Sequence, residues 1–251
     1  MSYKYLIICF LITLSFSCKK ETHITRIEGS RLEINDSLTS NQKIEDFIKP
    51  FREHVNKNLD SVLSYSIDTY SKTDSELNTA IGNLMADAVL EESNPVFFKR
   101  TGKYIDMVLL NHGGIRSILS KGDVTTRTAY KIMPFENSVV VAELKGEYIK
   151  ELIAYLQKAK RAHPISGLKL KLDKDDNLIE ATINDLPIED AKTYNVATND
   201  YLYNGGDRMN FFKKSDSLHI LNYKIRNVLI DYFAKHDTLS PTRDDRFIKL
   251  N

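Results

Sequence analysis

Four consecutive apolar residues, Met107-Val108-Leu109-Leu110, end a segment that begins at Ile105 and stop at Asn111-His112-Gly113-Gly114. An unbroken apolar run of this length reads as a strand buried on both faces of a sheet. The rest of the chain mixes helical and strand periods. Ile44, Phe47, Ile48, Phe51, Val55 and Leu59 recur at helical spacing behind a cap at Ser40. Leu63, Tyr65 and Ile67 alternate as on a half-buried strand. A second helix is predicted over about 79–92, with Ala80, Ile81, Leu84, Met85, Ala88 and Val89 on one face. A short helix capped near Thr125 or Thr126 should stop at Met133, because Pro134 disfavours helix in the residue before it. Strands over 138–144 and 194–198, a helix over 146–158 and a hairpin of 167–172 with 178–183 follow from the same patterns. A helix around 222–236 and a last short strand close the chain. The predicted class is α/β (α+β), a mixed β-sheet flanked by helices.

The 251 residues carry 35 Lys and Arg against 34 Asp and Glu, a net charge of +1. That balance leaves no basic face for counterion release and argues against a nucleic-acid binder. Two cysteines, Cys9 and Cys18, are too few for a disulfide scaffold or a cysteine-ligated zinc site. Residues 1–17 read as a signal peptide: Lys4 precedes an apolar stretch over 5–16 broken only by Thr13 and Ser15. About twelve apolar residues span only ~18 Å of helix, short of the roughly twenty a bilayer needs. Ser17-Cys18-Lys19-Lys20 looks like the cleavage site of a bacterial lipoprotein, with Cys18 carrying the lipid, although Ser15 stands where leucine is usual. Residues 18–40 are then a lipid-anchored tether and 41–251 a single domain, exported and facing the periplasm or cell surface.

Three loops carry side chains suited to chemistry. In Asn111-His112-Gly113-Gly114-Ile115-Arg116, Gly113 and Gly114 allow backbone N–H groups to approach a ligand, and Arg116 is a permanent, planar cation suited to oxygen anions. Pro134-Phe135-Glu136-Asn137 presents Phe135 at the mouth of the next strand. The third loop places Tyr201 six residues before Asp207, with Gly205 and Gly206 between them. Each loop alone also fits a tight turn, core packing or a cap. Together they describe a nucleoside pocket: two aromatics stack a planar base, and a carboxylate accepts hydrogen bonds from adjacent ribose hydroxyls.

With Ile81-Gly82-Asn83-Leu84-Met85-Ala86-Asp87-Ala88, Gly122-Asp123-Val124-Thr125 and Asn204-Gly205-Gly206-Asp207, these loops form an ordered set over about residues 75–210. The set resembles the C-terminal, substrate-binding domain of 5'-nucleotidases, the family that includes UDP-sugar hydrolases. The resemblance implies that Phe135 and Tyr201 stack the base, Asp207 binds the ribose, and Asn111 and Arg116 contact substrate beside Gly113 and Gly114. Two positions depart from the family's pattern. Ser75 stands where a further substrate arginine is usual, which weakens phosphate-side binding unless Lys72 substitutes for it. His112 stands where glycine or serine is usual.

Hydrolysis in this family requires a two-metal site that activates water and neutralises phosphoryl charge. The sequence has no Asp-x-His or His-x-His, and Gly113 follows Asn111-His112 where the metal motif has an acid. No metal site, catalytic residue or cofactor is therefore predicted in this chain, and its standing as an enzyme stays open. The expected function is the nucleotide-binding domain of a split extracytoplasmic 5'-nucleotidase, with zinc or manganese held by a partner metallophosphatase chain. The alternative is a stand-alone, non-catalytic nucleoside- or nucleotide-binding lipoprotein.

Overall fold

The computed structural model describes residue 3 and residues 23–250. The predicted signal peptide, Tyr3 apart, and the lipidation site Cys18 lie outside the described residues. The chain divides into two units, Met1–Ile48 and Lys49–Asn251. In the first, residues 23–41 hold a turn in which Asn35 accepts the Ser37 N–H at 3.0 Å, and the described residues before Gln42 form no strand. Helix α1 (Gln42–Leu59) crosses the division. Its cap is Asn41 rather than the predicted Ser40: the Asn41 carboxamide oxygen accepts the Lys43 N–H at 3.1 Å, the geometry an N-cap side chain supplies. No residue of α1 is buried.

The second unit continues with β1 (Val62–Ser66), α2 (Ala80–Thr101), β2 (Met107–Leu109), β3 (Gly122–Thr125) and α3 (Thr126–Ile132). Next come β4 (Ser138–Lys145), α4 (Gly146–Ala159), β5 (Ile165–Ser166), β6 (Leu168–Leu172), β7 (Leu178–Ile183) and β8 (Leu186–Pro187). It closes with β9 (Thr193–Asn199), α5 (Asp200–Tyr203), β10 (Ser217–Lys224), α6 (Ile225–Lys235), β11 (Thr238–Leu239) and β12 (Phe247–Lys249). The strands form three sheets, ordered β11-β1-β3, β10-β4-β9-β2-β5 and β12-β6-β7-β8. Parallel and antiparallel pairs occur together, so the expected mixed α/β class is the observed one.

The five-stranded sheet is the centre of the fold. Val108, Val139, Val141 and Ala197 point to a core shared with α2, α3 and α6. Met107, Leu109, Ala142, Leu144 and Val196 point to a second core shared with α4 and the β6–β7 hairpin. Every side chain of β2 is fully buried, as the apolar run predicts. Each such Val or Leu stabilises the fold by about 1.5–3 kcal/mol relative to exposure.

Strands β3, β5, β8 and β11 have no counterpart in the sequence pattern, and three further elements differ from it. In β1 the buried face carries Ser64 and Ser66, while Tyr65 and the adjoining Ile67 are exposed. The serine hydroxyls donate to the carbonyls of His236 and Asp68, so burying them leaves no unmet polar group. Helix α2 runs nine residues past the predicted end, through Pro95, to a left-handed Gly102 cap at φ 71. A helical proline costs ~3 kcal/mol; burial of Phe97, worth about 1.5–3 kcal/mol, offsets much of it. Strand β10 has no counterpart in the sequence pattern, because Ile220 faces solvent and Leu221 is its one fully apolar buried side chain. It takes the start of the segment predicted as helix, leaving α6 to begin at Ile225.

Candidate functional site

Three loops meet at one edge of the central sheet because of its register. β2 and β9 run parallel, with Met107 opposite Val196 and Val108 opposite Ala197. Their carboxyl ends therefore release Asn111 and Asp200 side by side, the edge where ligands commonly bind in such sheets. β4 runs antiparallel to β9, with Val139 opposite Asn199, so the loop 134–137 enters the sheet at that same edge. Asn111 and Asn199 join the two parallel ends: the buried Asn199 Nδ2 donates to Asn111 Oδ1 at 3.0 Å. Asn199 Oδ1 in turn caps α5 by accepting the Leu202 N–H at 2.8 Å.

A cleft of about 350 Å³ opens above this edge, lined by Asn111, Gly113, Phe135, Asn137, Tyr201 and Asp207. Phe135 and Tyr201 arrive on separate loops and are 40% and 45% exposed, which leaves ring surface free for a flat ligand. The Tyr201 hydroxyl donates to Asp207 Oδ1 at 2.9 Å and accepts the Asp207 N–H at 3.3 Å. The bond to the carboxylate pushes the phenol's pKa up, so the hydroxyl keeps its proton and aims one carboxylate oxygen. Gly206 makes this packing possible: a Cβ there would lie 2.5 Å from the Tyr201 ring. The 134–137 loop is held from below. Lys224 and Arg226 reach Glu136 at 2.5 Å each, and these two bonds lower its carboxyl pKa to about 2. Arg226 also lies over the Tyr130 ring at 4.1 Å.

Of the predicted residues, Asn111, Gly113, Phe135, Tyr201 and Asp207 share the cleft. Gly114 does not line it. It is buried, and its N–H closes the turn onto the Asn111 carbonyl at 2.9 Å, so that donor is not presented to a ligand. Arg116 also lies outside the lining; its guanidinium stands 5.9 Å from the Phe135 ring centre and so borders the aromatic wall. Lys72 donates to the Ile115 carbonyl at 2.7 Å, and burial, then Arg116 and Arg161, lower its pKa. Ser75 lies away from the cleft, beside Arg243 and Asp244. Asn137 belongs to the Pro134-Phe135-Glu136-Asn137 motif but carries no sequence signal of its own. Asn199 carries none either; its role comes from pairing with Asn111 across the sheet.

The loop residues also connect to a buried histidine. His163 Nδ1 lies 3.3 Å from both the His112 N–H and the Leu110 carbonyl, and burial lowers its pKa to about 4. At this histidine the unfolded chain gains a proton near pH 6.5 and the folded chain near 4, so its contribution to stability is constant above 6.5 and falls as pH drops between these values. We expect a loss of about 1–3 kcal/mol across that window. Melting curves of the native chain and His163→Gln would show it: the substitution should flatten the profile, and an unaltered slope would assign the loss elsewhere. Among the described residues no group of three His, Cys, Asp or Glu is placed to hold a metal ion. No described helix is long and apolar enough to cross a membrane.

Comparison with known proteins identifies relatives of this fold. An apyrase of Tabanus yao is 24% identical over 90% of this chain and 44% of its own length. Protein UshA of Escherichia coli strain K12 is 27% identical over 72% of this chain and 32% of its own. The chain thus spans less than half the length of these curated relatives. Among solved structures, the 5'-nucleotidase precursor of Thermus thermophilus superposes with a TM-score of 0.68 at 22% identity, covering 84% of this chain and 43% of that one. The NAD nucleotidase NadN of Haemophilus influenzae gives 0.64 at 16% identity, covering 84% and 42%. The family model described as 5'-nucleotidase, C-terminal domain, matches residues 57–214, a span that holds every side chain lining the cleft. The chain belongs to the 5'-nucleotidase C-terminal domain family.

Proposed function

We propose that this chain is the nucleotide-binding part of a 5'-nucleotidase acting outside the cytoplasm, holding base and ribose while a separate metallophosphatase chain hydrolyses the phosphomonoester. The observation that carries this reading is the single cleft in which Phe135 and Tyr201 offer exposed rings from two loops beside an oriented Asp207 carboxylate. The base enters between the rings, where stacking contributes about 1–3 kcal/mol per base. Asp207 accepts hydrogen bonds from the ribose hydroxyls through the oxygen that Tyr201 leaves free. Asn111 and Gly113 flank the sugar, and Arg116 supplies positive charge for the phosphate side.

The described residues do not fit a dinuclear metal site, so no chemical step is assigned to them. Activation of the attacking water belongs to the partner's metals. Export is supported by the charged and apolar pattern before Cys18 and by a relative named a cell wall protein of Listeria monocytogenes, 29% identical over 62% of this chain.

Two measurements test the reading. Titration calorimetry of the purified chain should show binding of AMP, UMP or adenosine; no heat with any of them overturns nucleotide binding. Phosphatase assay of the chain with Zn²⁺ or Mn²⁺ should show no turnover until a metallophosphatase is added. Turnover by the chain alone contradicts the split. Binding by the lone chain, with no metallophosphatase ever recovered alongside it, favours the stand-alone binding lipoprotein instead.

A further inference from the structure

A second cavity of about 430 Å³ adjoins the first and shares Gly113 and Asp207 with it. Its remaining walls include His112, Tyr155, Arg161, His163 and Arg208. The two arginines distinguish it. Arg127, Arg226 and Arg246 are each held by a carboxylate, whereas Arg161 and Arg208 form no ion pair among the described residues. Arg161 also lies close enough to Lys72 for its charge to help lower the lysine's pKa, as Arg116 does. Positive charge therefore accumulates around the shared wall, with Asp207 as the one acid lining the cavity.

Hydrogen bonds hold the backbone of the cavity's walls in place, while the Arg161 and Arg208 side chains are exposed. His112 Nδ1 lies 3.0 Å from the Ala162 carbonyl; a carbonyl only accepts, so the ring donates there and ties the 160–163 segment to the glycine loop. The Tyr155 hydroxyl donates to the Asp207 carbonyl at 3.1 Å. Asp207 and Arg208 adopt left-handed backbone, at φ 50 and φ 63, directly after the left-handed Gly205 at φ 94 and Gly206. His163 is buried in the wall, and its Nε2 has no partner among the described residues.

We propose that this cavity is an oxyanion subsite that receives a second phosphate group of a nucleotide whose base and ribose occupy the first cleft. A guanidinium pair suits a phosphate because each offers two parallel N–H donors to its oxygens. The inference rests on the first cleft being the nucleoside site. The second phosphate comes either from the ribose, as in a 3',5'-bisphosphate, or from the 5' chain, as in a diphosphate; both present the same chemistry to Arg161 and Arg208.

Titration calorimetry of the purified chain with adenosine, AMP, ADP and adenosine 3',5'-bisphosphate tests it. One of the last two should bind about ten-fold more tightly than AMP, or better, and the gain should shrink with added salt. A gain confined to the bisphosphate places the subsite on the ribose side; one confined to ADP places it along the 5' chain. In an Arg161→Ala/Arg208→Ala variant the gain should vanish while adenosine binds as before, which also shows that the variant is folded. If that variant does not fold, Arg161→Gln alone takes its place, with at least half of the gain in binding free energy expected to go. Equal affinity for AMP, ADP and the bisphosphate, or a gain that survives the substitutions, overturns the subsite and leaves the nucleoside cleft standing. Absence of binding by adenosine and AMP overturns the nucleoside cleft itself.

Discussion

Replacing Tyr201 with alanine is expected to weaken nucleotide binding by about 1–3 kcal/mol, roughly a 5- to 150-fold rise in Kd. Two contributions disappear together: the stacking face, and the hydroxyl that holds Asp207 Oδ1 at 2.9 Å. Tyr201→Phe separates them, since it keeps the ring and releases the carboxylate. The phenylalanine variant should therefore lose less than the alanine variant. Phe135→Ala should cost a similar 1–3 kcal/mol from the opposite wall, with Arg116 then lacking the ring it borders. Calorimetric titration with AMP reads all three variants. Unaltered affinity in both alanine variants would remove the aromatic sandwich from the account.

The largest effect on stability is expected from Gly167→Ala. Gly167 sits between β5 and β6 at φ +75, where an L side chain is strained. An added Cβ would also lie 2.3 Å from the Asp106 carbonyl oxygen and 3.0 Å from Met107 Cα, both backbone atoms with no rotamer to yield. The left-handed conformation costs about 1–3 kcal/mol, and the forced displacement adds about 1–3 kcal/mol. A total of roughly 2–6 kcal/mol is a large share of the 5–15 kcal/mol that keeps a typical domain folded. The displaced residues begin β2, whose far end places Asn111, so the cleft should loosen as well. Denaturant unfolding monitored by circular dichroism gives the midpoint; a shift below about 1 kcal/mol would show that β2 accommodates the methyl group.

Sequence patterns reveal this fold where a side chain's neighbours are close along the chain. The β2 run, the Pro134 stop and the β6–β7 hairpin each depend on local rules, and each is observed. They fail where the neighbours are remote. Leu63, Tyr65 and Ile67 mark an apolar face on β1, yet the carbonyls of His236 and Asp68 make Ser64 and Ser66 the better buried pair. Pro95 marks a helix end until Phe97 finds its core position beyond it. The cleft follows the same division. Phe135, Tyr201 and Asp207 stand out because their residue types suit a nucleoside. Asn199 and Arg226 do not, since their work is to receive partners from Asn111 and Glu136 on other elements.

The last two described strands pair with partners far back along the chain. β11 joins β1 in parallel, beside the Ser64–His236 bond between residues 172 positions apart, and β12 joins β6 in parallel. Both pairings join segments far apart in sequence, Tyr65 with Thr238 and Leu170 with Phe247. Before they dock, two sheets keep an open edge, at β1 and at β6. Such distant pairings slow folding, because loop-closure entropy is lost before the contacts that compensate it are made. Until β11 and β12 dock, the edges of β1 and β6 remain templates for another chain, and a nascent chain of this kind depends on prompt release or on a chaperone to keep those edges apart.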